Sequence, residues 1–247
     1  MAGKDLNDIG YEDFRRMALD PNLSANERIG FPDSYRDGFD SAIFEDICRK
    51  VTNLTDRNKQ VLDIGPGCGG LANRIIDHCH SCGHSLSLVD SPEMLSQLPG
   101  DGVVKIAGFY PDCFDDLSEQ EGKYDAIVCY SVFHYIFVEA SFWRFIDYSI
   151  KLLAPGGQLL IGDIPNVSKR KRFFSSEAGV RFHQQFMNTS ESPCVVRDCV
   201  EVDKIDDGVI LGVIMRARAE GCDAYWLPQP SSLPMSNRRE DVLIMKP

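Results

Sequence analysis

The sequence is poor in the features that would place a protein in a membrane or on a nucleic acid. No window among its 247 residues reaches the ~18 consecutive apolar residues of a membrane span. The opening Met1-Ala2-Gly3-Lys4-Asp5 has no apolar run of the kind that makes a signal peptide. Cations are in deficit: 26 Lys and Arg face 37 Asp and Glu, a formal net charge of -11, with only 5 His to modulate it. Such a surface repels phosphate backbones unless its basic residues gather on one face, so no nucleic-acid partner is expected. Internal repeats and low-complexity tracts are absent as well.

What is present is an ordinary globular composition, 43% hydrophobic and 26% charged. The length suits one large domain, or one domain with an elaborated end. The 9 cysteines, an odd number scattered from Cys48 to Cys222, read as free thiols in a reducing compartment, which predicts a cytoplasmic protein.

From residue 60 onward, β-rich runs alternate with helical stretches. The strands are predicted at Val61–Ile64, Ser85–Asp90, Val103–Ala107, Tyr124–Tyr130 and Gln158–Gly162. Ser91-Pro92-Glu93 is a helix start, with Ser91 as cap and Pro92 at the first helical position. Phe142, Phe145, Ile146, Ile150 and Leu153 form an apolar helical stripe that Ala154-Pro155-Gly156-Gly157 ends. Helices follow over 168–188 and 207–220, and two closing runs, 224–227 and 241–245, are free to pair antiparallel. The alternation predicts an α/β protein: a doubly wound, mostly parallel seven-stranded sheet, its last strand antiparallel, with helices on both faces. Residues 1–59 are expected to form an N-terminal helical cap, and 60–247 the main domain.

The first strand runs into Gly65-Pro66-Gly67-Cys68-Gly69-Gly70. A glycine turn between strand and helix brings bare backbone to a ligand at the helix start. The glycines fit both G-x-G-x-G and the dinucleotide pattern G-x-G-x-x-G. Asp63 decides between them, because a carboxylate there is badly placed for a pyrophosphate and well suited to the α-ammonium of S-adenosylmethionine. Asp90, at the end of the second strand, is where an acid accepts hydrogen bonds from ribose hydroxyls.

The stretches Val61–Gly69, Leu88-Val89-Asp90, Tyr124–Val128 and Leu153–Leu160 together resemble the successive motifs of class I S-adenosylmethionine-dependent methyltransferases. The resemblance implies a Rossmann-like fold, S-adenosylmethionine as cofactor, and Asp63, Gly65, Gly67, Gly69, Asp90, Ser91, Met94, Gly108, Phe109 and Tyr130 as its binding residues. In many members of that family an acid after the third strand lies near adenine; Gly108-Phe109-Tyr110 stands in its place here, with Phe109 available to pack on the ring. A looser likeness, carried by Glu27–Arg36 and Arg238–Asp241, is to bacterial methyltransferases associated with surface-sugar biosynthesis.

Ligands of open α/β sheets bind beyond the carboxyl ends of the strands. His134, after the fourth strand, is the candidate general base, and Asp163, after the fifth, its rival or orienter. The resemblance adds that a histidine near this point often shapes the site without acting as a base. Arg28, Tyr35, Tyr135, Arg36, Arg170 and Arg238 are candidates for binding the acceptor, since Arg suits carboxylate and phosphate. His78-Cys79-His80-Ser81-Cys82-Gly83-His84 matches no standard zinc pattern and reads as a polar helix end, so no metal is expected.

The predicted activity is methyl transfer to a small molecule, to a hydroxyl of an anionic or sugar-like acceptor, by a monomer or homodimer with no membrane partner. The alternatives are a non-catalytic cofactor-binding scaffold, a tRNA or DNA methyltransferase, and an NAD-dependent dehydrogenase. Asp63 and the Pro-Gly-Gly motif argue against the last.

Overall fold

A computed structural model describes residues 9–197, 199 and 201–247. Four helices come first: α1 (Tyr11–Ala18), α2 (Ala25–Arg28), α3 (Asp33–Arg36) and α4 (Asp40–Lys50). Strands and helices then alternate: β1 (Gln60–Ile64), α5 (Gly70–Cys82), β2 (Ser85–Asp90), α6 (Pro92–Ser96), β3 (Val103–Ala107), β4 (Tyr124–Tyr130), α7 (Phe133–Glu139), α8 (Phe142–Leu152) and β5 (Leu153–Pro165). The chain closes with α9 (Val167–Phe174), α10 (Glu177–Met187), α11 (Asp207–Ala219), β6 (Asp223–Pro228) and β7 (Arg239–Met245). The sheet has seven strands in the order β3-β2-β1-β4-β5-β7-β6. The pairs from β3 through β5 are parallel, and β7 lies antiparallel between β5 and β6.

Alternation along the central strands explains the two covering layers. Leu62, Ile127, Leu159 and Ile161 face one way, into a core shared with Phe145 and Ile146 of α8 and Ile210 and Val213 of α11. Val61, Ala126, Val128 and Leu160 face the other way, onto Ile43 and Ile47 of α4 and Ile75 and Ile76 of α5. Central strands buried on both faces need this near-continuous apolar character, as parallel sheets generally do.

Two predicted boundaries shift. The fifth strand is longer than Gln158–Gly162: Leu153 already pairs with Tyr124, and the register slips before Ala126 meets Gln158. Ala154-Pro155-Gly156-Gly157 is therefore an irregularity inside the strand, where an extra stretch of backbone is accommodated next to β4. The helical stretch over 168–188 divides at Ser175 and Ser176, where Ser176 caps α10 by accepting from the Gly179 amide. All nine cysteines are free thiols. Among the described residues, no helix is long and apolar enough to cross a membrane.

Candidate active site

The carboxyl ends of β1, β2 and β4 open into a cleft of about 990 Å³, counted with its mouth. Its floor is the turn between β1 and α5. Gly65 adopts φ +71°, and a Cβ there would lie 2.6 Å from Val132 Cγ2, so the residue after the strand has to be glycine. Gly67, at φ +64°, is pressed by Ile29 of the cap, whose Cγ2 would be 2.7 Å from an added Cβ.

Asp63 projects from the end of β1 and is 2% exposed. Among the described residues no cation or hydrogen-bond donor reaches it. Burial, with the Asp90 carboxylate nearby, pushes its pKa up to about 8. Asp90 is held differently: Gly67 N donates to its Oδ2 at 2.9 Å and Ser91 N to its Oδ1 at 2.6 Å. Burial still raises it to about 6 against those two bonds. Ser91 itself lies behind the lining, 1% exposed, where its hydroxyl caps α6 by accepting from the Met94 amide at 3.2 Å.

Of the residues predicted to hold a cofactor, Asp63, Gly65, Gly67, Gly69 and Asp90 line the cleft, and so do Met94, Gly108, Phe109 and Tyr130. Phe109 lies against Tyr11 of the cap with ring centroids 4.7 Å apart. The cap closes the opposite wall. Arg15 grips Glu93 of α6 through Nε and Nη2 at 2.9 and 2.8 Å, the Tyr11 amide donates to Glu139, and Phe14 meets Tyr135 edge-on at 4.8 Å.

The acceptor-side candidates divide. Arg36 and Tyr135 line the cleft. Arg36 is 4% exposed; its guanidinium lies over Phe31 and Tyr130, and among the described residues its Nε has no hydrogen-bond partner and its nearest carboxylate, Asp40, is 3.7 Å away. The others stand outside the lining. Arg28 Nε donates to the Asp20 carbonyl, Tyr35 lies against Phe186, and Arg170 is paired with Glu201 at 2.9 Å. Arg238 leans over Phe182 and donates to Asn237.

Neither His134 nor Asp163 reaches the lining. His134 stacks beside Tyr135 with centroids 4.0 Å apart, and its buried Nδ1 has no partner. Burial, and the fields of Arg239 and Lys204, hold its pKa well below the usual value, so the ring is neutral at pH 7. Asp163, 3% exposed, accepts from Ser131 Oγ at 2.6 Å. Ser131 lines the cleft and was not among the residues singled out from sequence. A serine after a strand carries no local signal of its function; its position becomes legible only when β4 and β5 are laid side by side.

On the far side of the domain, the ligand atoms of His78, Cys82 and His84 lie within 4.8 Å of one another. The two imidazoles share the Leu54 carbonyl, at 2.8 and 3.1 Å from their Nε2 atoms, and His84 Nδ1 accepts from the Lys59 amide at 3.0 Å. With Nδ1 accepting, His84 carries its proton on Nε2, so the group clasps residues 54–59 to α5 through backbone hydrogen bonds.

A parallel sheet with a glycine turn after β1, acids ending β1 and β2, and an antiparallel β7 inserted beside β5 defines a class I S-adenosylmethionine-dependent methyltransferase. The family model described as a methyltransferase domain matches residues 39–190, and the chain belongs to that family. Among solved structures, it is similar to the N-methyltransferase NodS from Bradyrhizobium japonicum WM9 in complex with S-adenosyl-L-homocysteine. That likeness has 15% identity and a TM-score of 0.57 over 96% of this chain and 98% of that one. The plantazolicin methyltransferase BpumL, also in complex with S-adenosylhomocysteine, gives 13% identity and a TM-score of 0.57 over 95% of both chains. An S-adenosylmethionine-dependent methyltransferase from Listeria monocytogenes gives 15% identity and a TM-score of 0.54 over 84% of this chain and 99% of that one. None of the curated proteins matches the chain.

Proposed function

We propose that the protein transfers the methyl group of S-adenosylmethionine to a hydroxyl of a small, negatively charged or sugar-like molecule. One observation carries this reading. A single cleft is lined by a buried carboxyl that no cation reaches among the described residues, Asp63, and by a buried guanidinium, Arg36, whose nearest carboxylate, Asp40, stands 3.7 Å from Nε without a hydrogen bond. Buried charges are costly unless paired, so each of these groups fits a ligand of opposite sign.

In this reading Asp63 holds the α-ammonium of the cofactor, the glycine turn receives its amino-acid portion, and Asp90 receives the ribose hydroxyls. Phe109 and Met94 pack on the adenine. When bound, the cofactor would supply an electrophilic methyl group on a sulfonium; transfer to the acceptor oxygen would leave the neutral thioether and release the hydroxyl proton to water, and positioning of the acceptor in line provides much of the rate. Arg36 binds the acceptor's anionic group. Tyr135 borders the acceptor, and the neutral His134 orients Tyr135 from behind.

The test is direct. Isothermal titration with S-adenosylhomocysteine should give stoichiometric binding, and incubation of the protein with S-adenosylmethionine and a panel of sugar nucleotides and hydroxy acids should release S-adenosylhomocysteine. Turnover confined to neutral or cationic acceptors would sink the anionic reading. Absence of binding would sink the whole of it.

A further inference from the structure

Ser131 and Asp163 share an unusual backbone. Ser131 directly follows β4, and Asp163 lies in the neighbouring parallel strand β5 at the register shift between Ile161 and Ile164; both are non-glycine residues in the left-handed region, at φ +63° and +57°. Strain of this kind persists where the surroundings over-determine it, and it collects at functional sites. Here the surroundings are visible. Ser131 N donates to the Gly162 carbonyl at 3.0 Å, Asp163 N donates to Asp241 Oδ1 at 2.8 Å, and Arg239 Nη1 donates to the Asp163 carbonyl at 3.1 Å.

The side chains are directional too. Asp163 Oδ1 faces Gln229 Nε2 at 3.4 Å and Arg239 Nε at 3.8 Å, which leaves Oδ2 to take the Ser131 proton at 2.6 Å. A hydroxyl has one proton to give. With that proton committed to a carboxylate, Ser131 Oγ can only present lone pairs to the cleft it lines. The strand order places it. The acids read as cofactor contacts end β2 and β1, so a ligand lying across them leads toward the next strand, β4, where Val132 touches the glycine turn.

We propose that Ser131, polarised by Asp163, puts an electron-rich oxygen at the reacting end of the cleft and so favours the cationic sulfonium of S-adenosylmethionine over its neutral product. The inference rests on the cofactor reading above. Ser131 is the residue that meets the cofactor; Asp163 is a positioning residue.

Titration calorimetry with two ligands that differ by one methyl and one charge tests this without an acceptor. Ser131→Ala and Asp163→Asn should each weaken S-adenosylmethionine by about tenfold, while S-adenosylhomocysteine stays within about twofold. The double variant should lose no more than either single one. Asparagine tolerates the left-handed backbone, and Ser131→Gly provides a second unstrained variant should Ser131→Ala fold poorly. A merely structural dyad would weaken both ligands together, and an unchanged preference would likewise overturn the proposal. If the unmodified protein binds neither ligand, the cofactor reading falls and takes the dyad with it.

Discussion

Two sets of buried acids stand at the same edge of the sheet and are treated in opposite ways. On the β1–β2 side, among the described residues, no cation reaches Asp63 and two amides donate to Asp90, and burial pushes both carboxyls up, to about 8 and about 6. On the β5–β7 side, Asp241 is fully buried and burial raises its carboxyl too, but against this Lys50 Nζ lies 2.6 Å from its Oδ2 and also serves Asp46. Gln229 and the Asp163 amide fill its Oδ1, at 3.0 and 2.8 Å. The β5–β7 acids are therefore part of the fold, because their partners come from the chain. The β1–β2 acids have no such cation among the described residues, as their proposed role toward the cofactor requires.

Removing an acid on each side should break the protein in different ways. Asp241→Ala leaves Lys50 with Asp46 as its remaining carboxylate and the buried Asp163 amide without its acceptor, and we expect a loss of about 3 kcal/mol in urea denaturation with or without ligand. Asp63→Asn should cost at least about 30-fold in S-adenosylhomocysteine affinity. In the same denaturation experiment the free Asp63→Asn protein should be as stable as the unmodified protein at pH 8, or more so. A destabilised Asp63→Asn protein with intact binding would erase the contrast.

The pH dependence sharpens it. A carboxyl whose pKa is raised on folding binds its proton more tightly in the native state, so its contribution to stability is fully present below the unfolded value and is lost as pH rises through the folded one. The free protein should therefore lose thermal stability between pH ~4 and about 8, and Asp63→Asn should flatten the upper part of that slope. Ligand binding should reverse the trend. At pH 7 the ammonium group of S-adenosylhomocysteine meets a protonated Asp63 and displaces its proton, so binding heats should vary with the ionisation enthalpy of the buffer. Affinity should rise from pH 6 toward pH 7.5. Buffer-independent heats would show that Asp63 is not the group that meets the ammonium.

The cofactor side was legible because its signal is local. Asp63 and the glycines are neighbours in sequence, Asp90 ends a strand whose five other residues are apolar or small, and the Val103–Ala107 and Tyr124–Tyr130 strands appear where β-rich runs predict them. The rest of the strand-end region is assembled from distant residues. Lys50 and Asp241 are 191 positions apart, Ser131 and Asp163 are 32 apart, and Arg36 enters the cleft from a four-residue helix in the cap. No periodicity encodes such meetings, and an arginine's sequence position does not reveal whether a carboxylate will cover it. Arg36 and Arg170 look equally available in the sequence, yet one is buried in the cleft and the other is paired on the surface.

That last difference is the finest test of the comparison. Arg170 is half-exposed beside Glu201, which Lys171 also reaches at 2.9 Å, so its charge is answered within the chain in the manner of the β5–β7 acids. Exposed pairs of this kind contribute little, from near zero to about 1 kcal/mol. Arg170→Ala should leave cofactor affinity within about twofold and denaturation within that range. It should also leave turnover of an anionic acceptor nearly unchanged, whereas Arg36→Ala should raise its KM at least about tenfold. The Arg36 charge has only the long contact to Asp40, 3.7 Å from its Nε and not a hydrogen bond, so its loss should appear in acceptor binding more than in the fold. An equal response of the two variants would mean that pairing within the chain does not separate structural charges from ligand-binding ones in this protein.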